Sequence, residues 1–199
     1  MVDLTIVIPA AGRSQRMRGA DKLLQDVDGT PILRVVAARA LKVAPTRVVT
    51  ATDQHSRRDA VEGLAVDHVT VAPGQRMAAS LVAGLAGLTG AAMILPADMP
   101  DISAHDMATL QALWQAGAGP ILRGADHDGT PGHPVILPPE MLAEMAKLTG
   151  DHGAGRLLSG QPDRVALHPI GPQAVLDLDT PEAWAEWRNA QQNKGPRRV

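Results

Sequence analysis

The first segment of the chain that can carry chemistry joins a short apolar run to a dense group of cations. Residues 4–8 are apolar, Pro9 ends the run, and residues 10–12 read Ala-Ala-Gly. The cations that follow within a dozen residues are Arg13, Arg16, Arg18 and Lys22. A strand that ends in a glycine-containing turn presents backbone N–H groups at the carboxyl edge of a sheet, where α/β folds bind ligands. Fixed cations at that edge predict a cradle for a polyphosphate.

A second segment places one carboxylate at a strand end. Residues 92–95 are apolar and lead through Pro96 to Asp98, after which Pro100 turns the chain away. In a parallel sheet, Asp98 lies on the same edge as the cationic loop. The loop has neither the Gly-x-Gly-x-x-Gly nor the Walker A spacing. It is therefore a different nucleotide-binding loop, or a solvated loop beside an Asp98 that only serves a turn.

Two more carboxylates alternate with leucine near the end of the chain. Residues 176–179 read Leu-Asp-Leu-Asp, so a strand here points Asp177 and Asp179 to the same face. Mg²⁺ binds through one or two carboxylates together with phosphate oxygens and water. Asp98 with either of the two aspartates therefore predicts a Mg²⁺ site. The alternative for Asp179 is a structural role just before a helix cap at Thr180.

The composition limits the classes of protein to which the chain can belong. Its 199 residues suffice for one domain, and a net charge of −2 argues against partners such as nucleic acid or a membrane surface. The absence of cysteine excludes disulfides and thiol catalysis and is typical of a reducing, cytoplasmic location. Because Asp3 interrupts the N-terminus, we expect neither a signal peptide nor a membrane span. Without Phe or Tyr, a bound base must be recognised by backbone groups and small side chains.

Short apolar runs alternate with amphipathic runs in the first half of the chain. The predicted buried strands are residues 5–8, 47–52, 68–71 and 92–95. The predicted helices are one that Thr30 caps, one over residues 75–88, and one that Ser103 and Asp106 open and Gly117 ends. This alternation predicts an α/β fold of three layers with a mostly parallel, doubly wound sheet.

The pattern loosens after residue 118. The predicted strands are residues 121–122, 135–137, 165–167 and 174–178, with Pro134, Pro138 and Pro169 at edge or terminal positions. We expect a smaller mixed-sheet extension and then a helix in which Trp184 and Trp187 pack. The chain is then a single domain, residues 1–199, with halves at 1–117 and 118–190 and a frayed tail at 191–199.

These segments together resemble a known family. Residues 9–17 and then Lys22-Leu23-Leu24 are similar to the opening loop of the nucleotidylyltransferases that act on molybdopterin, and residues 96–100 resemble their metal-binding turn. Residues 132–134, 150–154 and 177–182 resemble three later blocks in the same order. The likeness covers nearly the whole chain. It is greater to the cytidylyltransferase branch, because the guanylyltransferase branch usually has two glycines in the opening turn.

The resemblance implies the glycosyltransferase-A-like fold of the nucleotide-diphospho-sugar transferases, a nucleoside triphosphate donor with Mg²⁺, and release of pyrophosphate. It makes the first half the nucleotide-binding half and the second half the acceptor-binding half. The residues then expected in catalysis are Arg16, Lys22 and Asp98. Those expected at the nucleotide are Ala10, Ala11, Gly12, Arg13, Lys22, Gly74, Gln75 and Asp98. Those expected at the metal are Asp98, Asp177 and Asp179, and those at the acceptor are His133, Asp151 and Arg156.

Several of these assignments have structural alternatives. His133 could equally be a histidine bonded to backbone beside a constrained turn. Gly74-Gln75 could be an ordinary helix start. The chain also departs from the family pattern in two places. Arg18 is inserted before Gly19, which lengthens the loop by one residue, and Gly155 stands where the family has arginine, with Arg156 one place later.

CTP is the favoured donor, because methyl groups on Ala10 and Ala11 are expected to narrow the base pocket, and molybdopterin is the favoured acceptor. The alternatives are guanylyl transfer, cytidylyl transfer to a sugar or polyol phosphate, and a non-catalytic nucleotide-binding module. Lys22 and Asp98 argue against the last of these. No partner protein for the transfer is identified by the sequence.

Overall fold

Nine strands are present in the computed structural model, which describes residues 3–75, 77–147 and 154–194. In chain order they are β1 (Leu4–Pro9), β2 (Asp26–Val27), β3 (Thr30–Pro31), β4 (Thr46–Ala51), β5 (Asp67–Val71), β6 (Ala91–Ile94), β7 (Ile121–Ala125), β8 (Pro131–Leu137) and β9 (Val165–Pro169). Strands β2 and β3 form a small antiparallel pair. The other seven form one sheet in the order β5-β4-β1-β6-β8-β7-β9.

The main sheet is parallel except at one strand. Among the described strands of this sheet, β8 alone runs antiparallel to its neighbours β6 and β7, while β7 and β9 are again parallel. The predicted mostly parallel, doubly wound α/β fold is confirmed. The predicted C-terminal extension is part of the same sheet, because β8 pairs directly with β6 and carries the sheet onward to β7 and β9.

Helices cover both faces of the sheet and complete the three layers. They are α1 (Ile32–Leu41), α2 (His55–Ala60), α3 (Met77–Leu85), α4 (Ala104–Gln115), α5 (Pro139–Met145), α6 (Ala154–Ser159) and α7 (Pro181–Lys194). Side chains of a strand alternate between faces, and β1 shows the result. Ile6 and Ile8 belong to the core under α1, α4 and α7, whereas Val7 belongs to the core under α3 and α5.

Several predicted element boundaries are confirmed. Ser103 and Asp106 form a reciprocal capping box at the start of α4, and Gly117 follows the end of that helix with φ +85°. At α7 the N–H of Ala183 donates to the Thr180 hydroxyl at 3.2 Å. Trp184 and Trp187 are buried, as predicted for packing residues.

Helix α7 is longer than the sequence predicts. The helix continues to Lys194, into the segment predicted as a frayed tail, and residues 195–199 lie outside the described residues. In the part of the chain that the structure describes, no helix has the length and apolarity to cross a membrane. The cytoplasmic location stays a prediction.

One predicted helix start and one predicted strand are wrong. Thr30 does not cap α1 but pairs with Val27, because the N–H of Ile32 donates to the Gln25 carbonyl at 2.9 Å and needs no side-chain cap. Residues 174–178 do not form a strand. Pro172–Ala174 is a 3₁₀ helix that turns the chain away from the sheet, and the N–H of Leu178 donates to the Asp98 carbonyl at 3.3 Å.

Pro134 also departs from its predicted edge position, since β8 lies inside the sheet. Proline is tolerated there because Pro134 has no paired residue on either neighbouring strand. On one side β6 ends at Ile94, which pairs with Val135, and on the other the register with β7 shifts between Arg123 and Ala125.

Candidate active site

The carboxyl edge of the sheet brings the cationic loop and two aspartates together around Lys22. Its Nζ lies 2.5 Å from Oδ2 of Asp98 and 2.5 Å from Oδ1 of Asp179. The three side chains are 19%, 11% and 14% exposed, respectively. Burial alone lowers the pKa of Lys22, but the charge of Asp98 and the hydrogen bond to Asp179 outweigh it and raise that pKa above its ordinary value. Lys22 is therefore a cation fixed at the site.

Two connections position the acidic groups. Asp98 follows the end of β6, and its carbonyl accepts the N–H of Leu178, which holds the 177–179 segment beside it. Asp179 also forms an ion pair with Arg16. The structure thus brings Arg16, Lys22, Asp98 and Asp179 together.

Asp177 occupies a different position from Asp179. It is exposed. Because the predicted strand is absent, the two carboxylates do not point to the same face as expected. Partial burial, followed by repulsion from Asp179 and Asp98, raises the pKa of Asp177. It is a third negative group near the pair rather than a partner of Lys22.

The loop that follows β1 exposes backbone donors. Within the part of the chain that the structure describes, the N–H groups of Ala11, Gly12 and Arg13 donate to no other group. Gly12 is exposed, and a Cβ placed on it would meet nothing within 4 Å. Successive free N–H groups in a turn are anion-binding groups. This arrangement agrees with the predicted phosphate cradle.

Arg13 and the predicted Gly74 also come together. A Cβ placed on Gly74 would lie 3.6 Å from Nη2 of Arg13, and Gly74 has φ +75°, a conformation that favours glycine. Gln75 is exposed in the same turn. A cleft of about 450 Å³ opens beside the loop, and Arg13, Asp53 and Gln54 are among its lining residues. Its size is that of a small-molecule site.

Ala10 does not have the predicted role. Its side chain is 1% exposed and packs in the core with Ile6 and Ile8. The methyl group therefore faces away from the cleft and cannot narrow a base pocket. Ala11 is 6% exposed, and of the two alanines its methyl group is the one left that could narrow the pocket.

The inserted Arg18 is absorbed by a local turn. Arg18 has φ +52° and Gly19 has φ +96°, so the chain reverses direction between Met17 and Lys22. The Arg18 side chain is 74% exposed and lies 2.7 Å from Glu182 at the start of α7. The extra residue thus points away from the Lys22 cluster and leaves it intact.

Sequence reasoning missed a second group of polar residues behind the loop. Arg57 on α2 bonds to Asp21, Ser14 and the Ala10 carbonyl. Gln54 donates to the Ala11 carbonyl at 3.2 Å. No local signal identifies this group, because the burial of Arg57 and its pairing with the partly exposed Asp21 arise only in the folded chain.

Of the three predicted acceptor residues, the structure describes the side chain of His133 alone. His133 is half-buried, burial lowers the pKa of its ring to about 4, and among the described residues its Nδ1 has no partner. Acceptor binding by His133 and its structural alternative, a bond to backbone, both stay predictions. Asp151 lies outside the described residues. Arg156 lies in α6, but its side chain is outside the description.

The carboxylates suit a hard divalent cation, since Mg²⁺ takes one or two carboxylates and completes its shell with phosphate oxygens and water. No ready-made group of three metal-binding side chains occurs among the residues described. Asp98 and Asp179 supply two carboxylates that converge on the Lys22 ammonium group. The space between these carboxylates therefore favours a positive charge.

Comparison with protein families and curated proteins gives consistent matches. A family model described as a MobA-like NTP transferase domain matches residues 6–165. A protein of Natronomonas pharaonis named "Probable molybdenum cofactor guanylyltransferase" is 35% identical over 159 residues, which cover 72% of each chain. The molybdenum cofactor guanylyltransferase of Serratia proteamaculans is 26% identical over 206 residues, covering 97% of this chain and 96% of its own.

Solved structures share the fold. Rv0371c from Mycobacterium tuberculosis H37Rv has a TM-score of 0.80 at 24% identity, over 95% of this chain and 99% of its own. Its complex with manganese has a TM-score of 0.76 at 21% identity, over 94% and 97%. CMP:2-keto-3-deoxy-manno-octonic acid synthetase in complex with CTP has a TM-score of 0.75 at 18% identity, over 97% and 100%.

Proposed function

This chain belongs to the MobA-like NTP transferase family, and we propose that it transfers a cytidylyl group from CTP to the phosphate of a small acceptor, with molybdopterin as the leading candidate. Family membership makes it a nucleotidyltransferase. The donor base and the acceptor are the proposed parts. The observation that carries the proposal is the meeting of Lys22, Asp98 and Asp179 beside a loop with free backbone N–H groups.

In the proposed reaction, an oxygen of the acceptor phosphate attacks the α-phosphorus of the triphosphate. The bond from that phosphorus to the bridging oxygen breaks, and pyrophosphate leaves with the electron pair. A phosphate monoester has a second pKa of about 6, so the attacking oxygen is already ionised near neutral pH and needs no general base. This fits a site in which His133, the histidine predicted at the acceptor, has a pKa lowered to about 4 by burial.

The chain's own contribution is positioning and charge neutralisation. The N–H groups of residues 11–13 would bind phosphate oxygens. Lys22 and Arg16 would stabilise the negative charge that develops as pyrophosphate leaves. Arg13, which passes over Gly74, would bind at the nucleoside side of the same cleft.

A divalent cation, when bound, neutralises triphosphate charge and polarises the reacting phosphoryl group. Asp98 and Asp179 are the residues that would hold it, with Asp177 as the nearest further carboxylate. We propose Mg²⁺, which the oxygen-only donor set suits. The manganese complex of Rv0371c, which has the same fold, supports the use of a divalent ion.

Two observations favour different bases. The turn Ala10-Ala11-Gly12 resembles the cytidylyltransferase branch, and a structural neighbour was solved with CTP. The names of the two curated relatives described above favour guanine, which makes guanylyl transfer the second candidate. We rank CTP first because the opening loop is the segment proposed to contact the donor.

Competition among CTP, GTP, ATP and UTP for one site tests the donor. We expect CTP to bind at least tenfold more tightly than GTP, about 1.4 kcal/mol. A clear preference for GTP would replace the cytidylyl assignment by guanylyl transfer. Metal-dependent pyrophosphate release with molybdopterin, and with sugar and polyol phosphates, tests the acceptor. Binding of a triphosphate without release for any acceptor would instead favour a non-catalytic module.

A further inference from the structure

Arg57 is a buried cation to which the proposed chemistry assigns no task. Its side chain is 2% exposed, although it lies on the short surface helix α2. Arginine is almost never fully buried unless it is paired, because removing its charge from water is costly. Its partners therefore indicate what it does.

Among the described residues, the partners of the Arg57 guanidinium all lie in the phosphate-binding loop, residues 10–22. Nε and Nη2 donate to the two carboxylate oxygens of Asp21 at 2.7 and 2.8 Å. Nη2 also donates to the Ser14 hydroxyl at 3.1 Å, and Nη1 donates to the carbonyl of Ala10. One planar group thus joins the first residue of the loop to the residue just before Lys22.

The same contacts continue to the backbone of Lys22. The Lys22 N–H donates to the Ser14 hydroxyl at 3.2 Å, and the Leu23 N–H donates to the Asp21 carboxylate at 2.9 Å. Both acceptors are also partners of Arg57. The backbone of Lys22 and Leu23 is therefore connected to Arg57 through Ser14 and through Asp21.

We propose that Arg57 is a positioning residue for the transfer reaction: it holds the phosphate-binding loop in its binding shape before the donor arrives. The part that concerns the triphosphate rests on the proposed function. A preformed loop avoids the ordering cost that a flexible loop pays on binding. The task requires arginine, because a lysine ammonium cannot reach two carboxylate oxygens and a carbonyl with one rigid fork.

The test compares Arg57→Gln with a matched control, Arg34→Gln. Arg34 on α1 also ties down α2, through the carbonyls of Ala60 and Glu62 at 3.1 and 2.8 Å, but its described contacts do not reach the loop. Both variants lose an arginine that ties α2 to a neighbouring segment, the loop for Arg57 and α1 for Arg34. A difference between them therefore reports on the loop and not on α2.

Hydrogen exchange of the ligand-free protein is the readout that needs no substrate. We expect Arg57→Gln to speed exchange at the bonded amides of Met17, Lys22 and Leu23, with β4 unchanged, and Arg34→Gln to leave these amides as in the wild type. Unchanged loop exchange in folded Arg57→Gln overturns the proposal. Equal acceleration in the loop and in β4 also overturns it, because that result shows a general loss of stability.

Triphosphate binding gives the second readout. We expect Arg57→Gln to lose affinity by about tenfold or more. In a Lys22→Ala background the further loss should be smaller than in the wild type, because one of the groups that the loop positions is gone while its backbone N–H groups remain. Fully additive losses overturn the proposal. Should the wild type bind no triphosphate, the proposed function fails, and loop exchange alone then decides the role of Arg57.

A conservative variant covers the case in which Arg57→Gln does not fold. Arg57→Lys keeps the charge but loses the two-pronged contact with Asp21. We expect faster loop exchange in Arg57→Lys with no change in β4. Wild-type loop exchange in this variant shows that a point charge suffices, which contradicts the proposal.

Discussion

Lys22 and Asp98, 76 positions apart in the sequence, form a 2.5 Å ion pair at the carboxyl edge of the sheet. The pair links the phosphate-binding loop after β1 to the turn after β6, which are neighbouring strands. Asp179 completes the arrangement from the far end of the chain. Three distant segments thus converge on one ammonium group, and the charge at this site is fixed before any ligand binds.

Lys22→Ala should weaken triphosphate binding at least tenfold, about 1.4 kcal/mol, because a cation aimed at the phosphates is lost. Calorimetry on a variant shown to be folded by circular dichroism measures it. Arg47→Ala is the matched control. Arg47 is also a partly buried cation in an ion pair, with Asp67 at 2.6 Å, but it lies at the opposite edge of the sheet. Unchanged affinity in folded Lys22→Ala would place the phosphates elsewhere.

Asp179→Asn should reduce metal-dependent pyrophosphate release much more than Asp177→Asn. Asp179 contacts Lys22 and Arg16, whereas Asp177 is exposed and contacts neither. We expect a loss of about a hundredfold or more for Asp179→Asn and for Asp98→Asn, since metal stabilisation of transition-state charge is worth several kcal/mol. For Asp177→Asn we expect a loss within about tenfold. The reverse order would make Asp177 the main metal ligand.

The free energy of unfolding should fall as the pH falls from about 6.5 towards 4. Burial, and then the charge of Arg123, lower the pKa of His133 to about 4. The unfolded chain has a histidine pKa of about 6.5, so it binds a proton in this range and the folded protein does not. Between pH 7 and pH 5 the expected loss is about 2 kcal/mol.

Urea denaturation at pH 7 and at pH 5 measures this loss. In His133→Gln the part of the loss due to this histidine should disappear, whatever the variant's stability at pH 7. His105→Gln, which removes an exposed histidine, should keep the wild-type dependence. The same pH dependence in His133→Gln and in the wild type would show that His133 titrates normally.

The sequence was sufficient to predict the fold and half of the site because both depend on local patterns. Buried parallel strands must be apolar, so the runs at 5–8 and 92–95 were recognisable as β1 and β6. Parallel strands end at a shared edge, which placed Lys22 and Asp98 together without further information. The capping box of Ser103 was found for the same local reason.

The remaining parts depend on long-range contacts that no local pattern encodes. The alternation of Asp177 and Asp179 with leucine suggested a strand, but Pro172 opens a turn and the Asp98 carbonyl takes the N–H of Leu178. No local pattern distinguishes Arg57 from the other charges near it in the sequence. Its partner Asp21 lies 36 positions away, and only the folded chain shows that Arg57 is buried against this partly exposed carboxylate.

The indole of Trp184 gives the protein an optical reporter of its acidic segment. Trp184 is 1% exposed, and its Nε1 donates to the carbonyl of Leu178 at 3.1 Å, between Asp177 and Asp179. The chain has three tryptophans and no tyrosine, so its near-ultraviolet emission comes from tryptophan alone. Trp187 lies edge-on to Trp184 with ring centres 5.6 Å apart, which couples the two chromophores. A displacement of the acidic segment alters the Trp184 hydrogen bond, and the intrinsic fluorescence then registers it without an attached dye.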